Sequence, residues 1–309
     1  MVIIGSTPAT RKGVARFFCS LSELCYNRAL SLRGVSRSAR FIQFSPQGTS
    51  MILDVAGLTD IGLKKKDNED KFAVFSEGSP DVRLFDRGAL LVVADGLGGH
   101  MGGEIASKLA VSMMSDMLKQ EPPAADPNAS DGGLFPVIRE AARKANASIF
   151  KTNQDFQTGD RPMGTTLVAA LLLPGKVLVC NVGDSRCYVL RGGKIVERTT
   201  DHSFVEEQIQ LGLMTRAESL VDKRRNLVTR SVGTKPEVGV DTYMWTIHKG
   251  DYIFLCSDGV IDMVQDKQIC EVFKACTSSE DIANRIVDVA NENGGKDNIT
   301  AVVARVIEM

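Results

Sequence analysis

Histidine is scarce in this chain, with three in 309 residues: His100, His202 and His248. With no H-E-x-x-H pair and no cluster of Cys and His, a zinc site has no ligand set to draw on. Neither G-x-S-x-G nor a paired Cys/His signature occurs, which leaves a covalent nucleophilic triad without its parts. The P-loop pattern is absent, and Gly96-Leu97-Gly98-Gly99 lacks the spacing of a dinucleotide fingerprint. Seven cysteines make an odd count with no C-x-x-C, and Cys180 and Cys256 lie inside apolar stretches where Cys acts as a small hydrophobe. A reducing, cytoplasmic setting is therefore expected. No apolar run approaches the ~20 residues that span a bilayer, and the first residues lack a charged leader followed by an apolar stretch, so neither a membrane span nor a secretory signal is expected.

The net charge of −1 hides an asymmetry. Residues 1–50 carry seven Lys or Arg and one acid, Glu23, while the remainder carries 30 bases and 37 acids. An acidic body argues against nucleic acid as the natural partner, because phosphate neutralisation needs a basic surface. Residues 1–50 read as an N-terminal extension, with Val14, Phe17, Phe18, Leu21 and Cys25 at helical spacing. An Arg-rich, acid-poor amphipathic segment has the composition of a transit peptide, which would place the protein in an organelle. The plainer readings, a disordered extension or untranslated sequence ahead of a start at Met51, are preferred. Residues 51–309 read as one domain, without a linker or internal repeat.

Within that body, strand signals over 52–59, 72–75 and 89–94 precede helical ones over 103–119 and 135–150. In the first helix, Ile105, Leu109, Met113 and Met117 recur every fourth residue. Residues 121–133 read as a solvated loop. A strand-rich block follows over 165–173, 177–182, 186–190 and 194–197, with Pro174-Gly175 and Gly192-Gly193 as hairpin turns. Residues 204–237 are polar and irregular. Strands over 242–247 and 252–256, helices over 267–275 and 280–293, and a strand over 299–306 close the chain. Thr277-Ser278-Ser279-Glu280 carries a capping-box pattern before the last helix. Runs of strands and runs of helices, without strict alternation, predict an α+β fold.

The chemistry sits at strand ends. The apolar run 90–94 ends on Asp95-Gly96, and 252–256 runs into Ser257-Asp258-Gly259. Asn181-Val182-Gly183-Asp184-Ser185-Arg186 and Gly294-Gly295-Lys296-Asp297-Asn298 repeat the device, and Lys64-Lys65-Lys66-Asp67-Asn68-Glu69-Asp70 sets a basic cluster beside two acids. One Asp of this kind is more often a turn former than a ligand. Four of them with a Glu-Asp pair exceed what turns require, and clustered carboxylates repel unless a cation lies between them. Ligands that are all oxygen point to magnesium or manganese. Asp184 stands equally as ligand and as turn former. His100 and His202 read as structural, Thr165 and Thr166 as strand-pairing residues, and Trp245 and Phe254 as core.

In their order, Asn68-Glu69-Asp70, Asp95-Gly96-Leu97-Gly98-Gly99-His100, Gly164-Thr165-Thr166, Gly183-Asp184-Ser185-Arg186, Asp201-His202-Ser203, Leu227–Gly233, Ser257-Asp258-Gly259 and Asp297-Asn298 resemble the metal-dependent protein phosphatases, type 2C, in their bacterial branch. The likeness runs from about residue 58 to 306. It implies a four-layer α-β-β-α sandwich of two antiparallel sheets flanked by helices, holding two divalent cations, manganese or magnesium, at one end. Asp95 would bridge the cations with the Gly96 carbonyl beside it, Asp258 and Asp297 would complete the second cation, and Glu69 and Asp70 would act through waters. Asp184 would help hold a third, weaker cation. Residues 204–225 would form a flap beside the site.

The implied activity is metal-dependent hydrolysis of phosphoserine and phosphothreonine in proteins by direct attack of a hydroxide bridging the metals, with Asp95, Asp258 and Lys65 carrying the chemistry. Phosphorylated proteins, made by a serine/threonine kinase, would be the substrates, and the chain would act as a monomer. Two positions depart from the family pattern. Leu97 replaces the His that animal-type members carry two residues after the bridging Asp, which leaves the general acid unassigned. Lys65 stands where an Arg typically grips phosphate, and an ammonium lacks the bidentate fork of a guanidinium. The alternative is a catalytically weak or silent phosphoprotein-binding regulator on the same fold, against which the intact acids argue. A third reading keeps the enzyme and exchanges the substrate for a small phosphate ester or phosphohistidine.

Overall fold

The computed structural model describes residues 36–44, 51–75, 88–98, 101–117, 133–156 and 162–309. The readings for residues 1–35, His100, Lys119 and the loop 121–132 lie outside them. One six-stranded sheet runs, in spatial order, β1 (Ser36–Phe44), β2 (Met51–Asp60), β13 (Ile299–Glu308), β12 (Tyr252–Cys256), β9 (Arg186–Arg191) and β10 (Lys194–Arg198). A five-stranded sheet runs β11 (Asp241–Thr246), β8 (Lys176–Val182), β7 (Leu167–Leu173), β4 (Ala89–Ala94) and β3 (Lys71–Phe75). A short ladder joins β5 (Gly96–Leu97) to β6 (Gly164–Thr165). All the pairings are antiparallel. The helices are α1 (Met101–Met117), α2 (Leu134–Asp155), α3 (Phe204–Gln210), α4 (Arg216–Ser219), α5 (Asp258–Ile261), α6 (Asp266–Ala275) and α7 (Ser279–Glu292).

Side-chain alternation along the strands builds the layers. Ala89, Leu91 and Val93 of β4 meet Ile253 and Leu255 of β12 and Val302 and Ala304 of β13 in a core between the sheets. Leu90, Val92 and Ala94 turn the other way, onto Ala106, Ala110 and Met114 of α1 and Ala142 and Ile149 of α2. On the opposite outer face, Phe254, Ala301 and Val303 pack on Ile269 and Phe273 of α6 and Ile282 and Ile286 of α7. Strands buried on both faces explain why the sequence shows continuous apolar runs rather than alternation. Each buried aliphatic side chain contributes about 1.5–3 kcal/mol over its exposed state. The result is the α-β-β-α sandwich of two antiparallel sheets.

Four local features differ from the sequence reading. Residues 36–44, read as part of the extension, form β1 and pair with β2 from Ser36↔Thr59 to Phe44↔Met51, so β2 is not the sheet edge. The buried stripe of α1 is Ala106, Ala110 and Met114, and Ile105 is exposed. Small residues let the helix approach the sheet closely, and alanine gives little hydrophobic signal. The cap of α7 is Ser278, whose hydroxyl accepts from the Asp281 backbone N–H, one residue beyond the expected box. Residues 204–237 contain α3 and α4, each opened by a capping hydroxyl, Ser203 over Glu206 and Thr215 over Glu218.

Candidate metal centre

Register alone brings the acids to one end of each sheet. Lys71 pairs with Ala94, so Asp70 and Asp95, the next residue on each strand, leave the second sheet side by side. Leu167 pairs with Val182, which carries Asp184 to the same end. In the first sheet, Cys256 pairs with both Ala301 and Arg186, so Asp258 and Asp297 emerge together. Rigid strands hold the side chains that follow them more firmly than a loop would.

Hydroxyls fix the two deepest acids. The Asp95 N–H donates to Thr166 Oγ1 at 3.0 Å, while its carbonyl accepts from Thr166 N at 2.8 Å and Thr165 Oγ1 at 2.9 Å. These two threonines thus position Asp95 as well as pairing strands. Asp70 is buried, and its Oδ2 accepts from Thr300 Oγ1 at 2.6 Å and Ser257 Oγ at 2.7 Å. Asn68 Nδ2 donates to Thr59 Oγ1, which leaves the Thr59 proton for Thr300 Oγ1 at 2.7 Å. That chain of donors aims the Thr300 proton at the carboxylate.

Asn298, quoted in the sequence only as part of a motif, is a staple. Its Oδ1 accepts from Glu69 N at 2.8 Å, and its Nδ2 donates to the carbonyls of Ile61 and Asp67 at 3.0 and 2.9 Å. Backbone packing closes the remaining space. A Cβ on Gly96 would lie 2.3 Å from the Gly103 carbonyl oxygen, and one on Gly103 would lie 2.8 Å from Glu69 Oε1. Only glycines allow β5, the first turn of α1 and Glu69 to meet.

The electrostatics are those of crowded acids. Burial, then the charges of Asp70, Asp258 and Asp184, pushes the Asp95 carboxyl well above the ordinary carboxylate range. Burial, then Asp184, Asp297 and Asp262, does the same to Asp258. Burial also raises Asp70, against the pull of Thr300 and Ser257. Asp184 is pushed up to about 7, by burial first and by Asp201 next. Asp201 is held by Arg186 in a bidentate pair at 2.6 and 2.7 Å. Lys65 joins the cluster by pairing with Asp297 Oδ1. Burial lowers its ammonium pKa, but Asp297, then Asp95 and Asp258, hold the net value above the ordinary one.

Asp70 Oδ1 and Asp258 Oδ1 are buried and accept no hydrogen bond among the described residues. Such oxygens cost free energy unless a partner reaches them. Among the described residues no group of three or more acid, imidazole or thiol side chains is arranged, as it stands, to hold a metal ion. The acids feel one another's charge, their donor atoms are all oxygen, and two of those buried oxygens lack a hydrogen-bond donor. That chemistry fits hard divalent cations.

The structure therefore brings Lys65, Glu69, Asp70, Asp95, Gly96, Asp184, Asp258 and Asp297 to one end of the sandwich. It adds Asp262, which the sequence reading missed. Asp262 follows Asp258 by one helical turn and accepts from Asn226 Nδ2 at 2.8 Å and Arg225 Nη2 at 3.1 Å. Its spacing of four from Asp258 was the available signal. His202 is a satisfied buried histidine. Its Nδ1 accepts from Gly183 N at 3.0 Å, so Nε2 carries the proton toward Asp241 Oδ2 at 3.1 Å. Burial, ahead of other causes, lowers its pKa.

Residues 65–303 match the family described as protein phosphatase 2C. The serine/threonine phosphatase stp of Listeria innocua is 32% identical over 245 residues, covering 79% of this chain and 92% of that protein. Among solved structures, the serine/threonine phosphatase Stp1 from Staphylococcus aureus is 30% identical with a TM-score of 0.74, covering 88% of this chain and 100% of that one. The catalytic domain of serine threonine protein phosphatase PstP, solved in complex with 2 manganese ions, is 32% identical with a TM-score of 0.69, covering 84% of this chain and 100% of that one. The chain belongs to the protein phosphatase 2C family and is a phosphoprotein phosphatase.

Proposed function

We propose that this chain hydrolyses phosphoserine and phosphothreonine in proteins at the acid cluster, which holds two divalent cations, manganese or magnesium. Asp95, with the Gly96 carbonyl beside it, would hold both, Asp258 and Asp297 would help hold the second, and Glu69 and Asp70 would act through waters. The observation that carries this reading is the pair of buried, donorless oxygens, Asp70 Oδ1 and Asp258 Oδ1, inside a group of mutually repelling carboxyls. Bound there, divalent cations supply an acidified water at neutral pH and offset charge on the phosphoryl oxygens. Asp184, already crowded by Asp201 and Asp262, offers a place for a third, weaker cation.

The chain's own residues supply positioning and charge. Lys65 stays protonated at neutral pH and stands half-exposed over the cluster. In that place it exchanges Asp297 for the equatorial oxygens of a phosphoryl group. Thr165 and Thr166 hold the Asp95 backbone still, and Thr300 and Ser257 keep the Asp70 carboxyl turned to one orientation. Leu97 cannot protonate a leaving oxygen, so that proton comes from elsewhere.

A serine/threonine kinase is the reaction class that must supply these substrates. A complete set of proposed site residues on one polypeptide lets the chain act as a monomer. The unpaired, buried Cys180, Cys187 and Cys256 support a reducing compartment such as the cytoplasm. No helix among the described residues is long and apolar enough to cross a membrane.

The test is turnover of p-nitrophenyl phosphate and a phosphopeptide at saturating manganese, beside an Asp258→Ala control. The reading expects both to be hydrolysed by the natural chain, and turnover no higher than the control's overturns it.

A further inference from the structure

Resting on the phosphatase reading, we propose that Asn153 and Asn146 of α2 are positioning residues for the metal centre, fixing Asp95 and Gly96 from the far side of β6. Both asparagines are buried, 7% and 2% exposed, on a helix face shared with Ala142, Ala145 and Ile149. Residues 146, 149 and 153 are three and four apart, which sets them one above the other on that face. Asparagine is a poor helix former, because its amide competes for backbone groups. An amide in a core also costs free energy unless partners reach it. Two of them on one apolar face need partners beyond the helix.

Those partners are the backbones of two separate segments. Asn153 holds Met163 at both ends, accepting from its N–H at 2.7 Å and donating to its carbonyl at 2.8 Å. Its Nδ2 also donates to the Gly233 carbonyl at 2.9 Å. Asn146 Oδ1 accepts from Gly233 N at 2.7 Å, while its Nδ2 donates to the carbonyls of Lys235 and Pro236 at 3.0 and 3.1 Å. Between the two amides Gly233, at φ 93°, presses on Ile149, where a Cβ would lie 2.1 Å from Cγ2. The helix thus grips the chain just before β6 and again just after Val232. Those two stretches bond to each other, Thr165 N donating to the Val232 carbonyl at 3.0 Å and Val232 N to the Thr165 carbonyl at 2.8 Å.

On its other edge β6 meets the metal centre. Thr165 pairs with Gly96 and Gly164 with Leu97, and Thr165 Oγ1 donates to the Asp95 carbonyl at 2.9 Å. A two-residue ladder and a single bridge do not hold themselves in place, since even a full two-stranded hairpin is marginal alone. Their rigidity is borrowed from the 22-residue α2 through the two asparagines. The Asp95 N–H has a separate hold in Thr166, which Ser185 braces at 2.7 Å. The clamp therefore governs the Asp95 carbonyl and Gly96. Groups that orient metal ligands from behind are commonly worth about 10–100-fold in metal affinity or activity.

The experiment titrates the chelator-treated full chain with manganese by calorimetry, beside Asn153→Ala, Asn146→Ala and Ile138→Ala. Turnover of p-nitrophenyl phosphate and thermal melting are recorded for each form. Ile138 packs into the same core toward the start of α2, and its truncation removes only apolar contacts. The proposal expects both asparagine variants to bind manganese about tenfold or more weaker and to need correspondingly more metal for turnover. Ile138→Ala should melt lower yet bind manganese as the natural chain does. Natural affinity in the folded asparagine variants overturns the proposal. So does an equal loss in Ile138→Ala, which would make the effect one of general stability. If the asparagine variants do not fold, amide exchange of the natural chain decides. Manganese should slow exchange at Thr165, Val232 and Gly233 more than in α6 on the opposite outer face, and equal slowing overturns the proposal. A natural chain that fails to turn over p-nitrophenyl phosphate would instead sink the phosphatase reading, and this proposal with it.

Discussion

At the scale of single residues, the account turns on how a carboxylate is kept still and unsatisfied at once. Asp70 shows it best, because Thr300 and Ser257 saturate one oxygen while the other stays without a donor. Thr300→Val removes a bond to a charged group and strands the Thr59 hydroxyl. We expect a loss of about 1.5–3 kcal/mol in stability, the usual worth of a hydrogen bond to a charged group, together with weaker manganese binding. Urea denaturation and a manganese titration of the variant check both parts, and an unchanged midpoint would contradict the donor chain. The acids themselves were legible in the sequence, since a carboxylate closing an apolar run has few other uses in such number. Their positioning residues were not. Thr300 and Asn298 act through contacts more than two hundred residues away in the chain, which no local pattern announces.

At the scale of elements, strands were legible and helix faces less so. The double-sided burial of β4, β7 and β12 writes itself as uninterrupted apolar runs. The turn Gly192-Gly193 was legible because both residues take positive φ, 56° and 70°, between paired Arg191 and Lys194. The helical period of α1 was legible, and Leu109 and Met113 are half-buried against the core, but its fully buried stripe is built on alanines that give little signal, and β1 was missed within a basic, Ser-rich stretch. The polar segment 204–237 hid two short helices whose capping hydroxyls were the available signal. Capping also separates two registers of α7. Ser278→Ala should cost about 1 kcal/mol, as loss of an N-cap does, and Thr277→Ala should cost little. A pair of thermal melts decides it, and the reverse order would place the cap at the residue the capping-box pattern indicated.

At the scale of the whole molecule, the acid cluster makes folding and cation binding two sides of one balance. The carboxyls of Asp70, Asp95, Asp184 and Asp258 all have folded pKa values above the ordinary 3.8, burial being the first cause, with Asp184 reaching about 7. A raised carboxyl binds its proton more tightly folded than unfolded. Its contribution is therefore full below the unfolded value and is lost as pH climbs through the folded one. His202, lowered mainly by burial, works the other way, as do Asp222, Asp241 and Glu218, whose carboxyls are lowered. The gain from those three is largely complete near the bottom of the window in which the four raised carboxyls lose theirs. In chelator, the Tm should fall as pH rises from about 4 toward about 7. Manganese binds the deprotonated cluster, so its addition should restore Tm most at the upper end of that range. A chelated Tm that climbs steadily across the same window would contradict this.

The most direct test of the central claim is calorimetric titration of the chelator-treated chain with manganese, beside Asp258→Asn, which keeps the shape and removes one charge. The account predicts two tightly bound ions for the natural chain, with any third far weaker, and the loss of at least one tight ion in the variant. No binding by the natural chain, or the same stoichiometry and affinity in both, would contradict it.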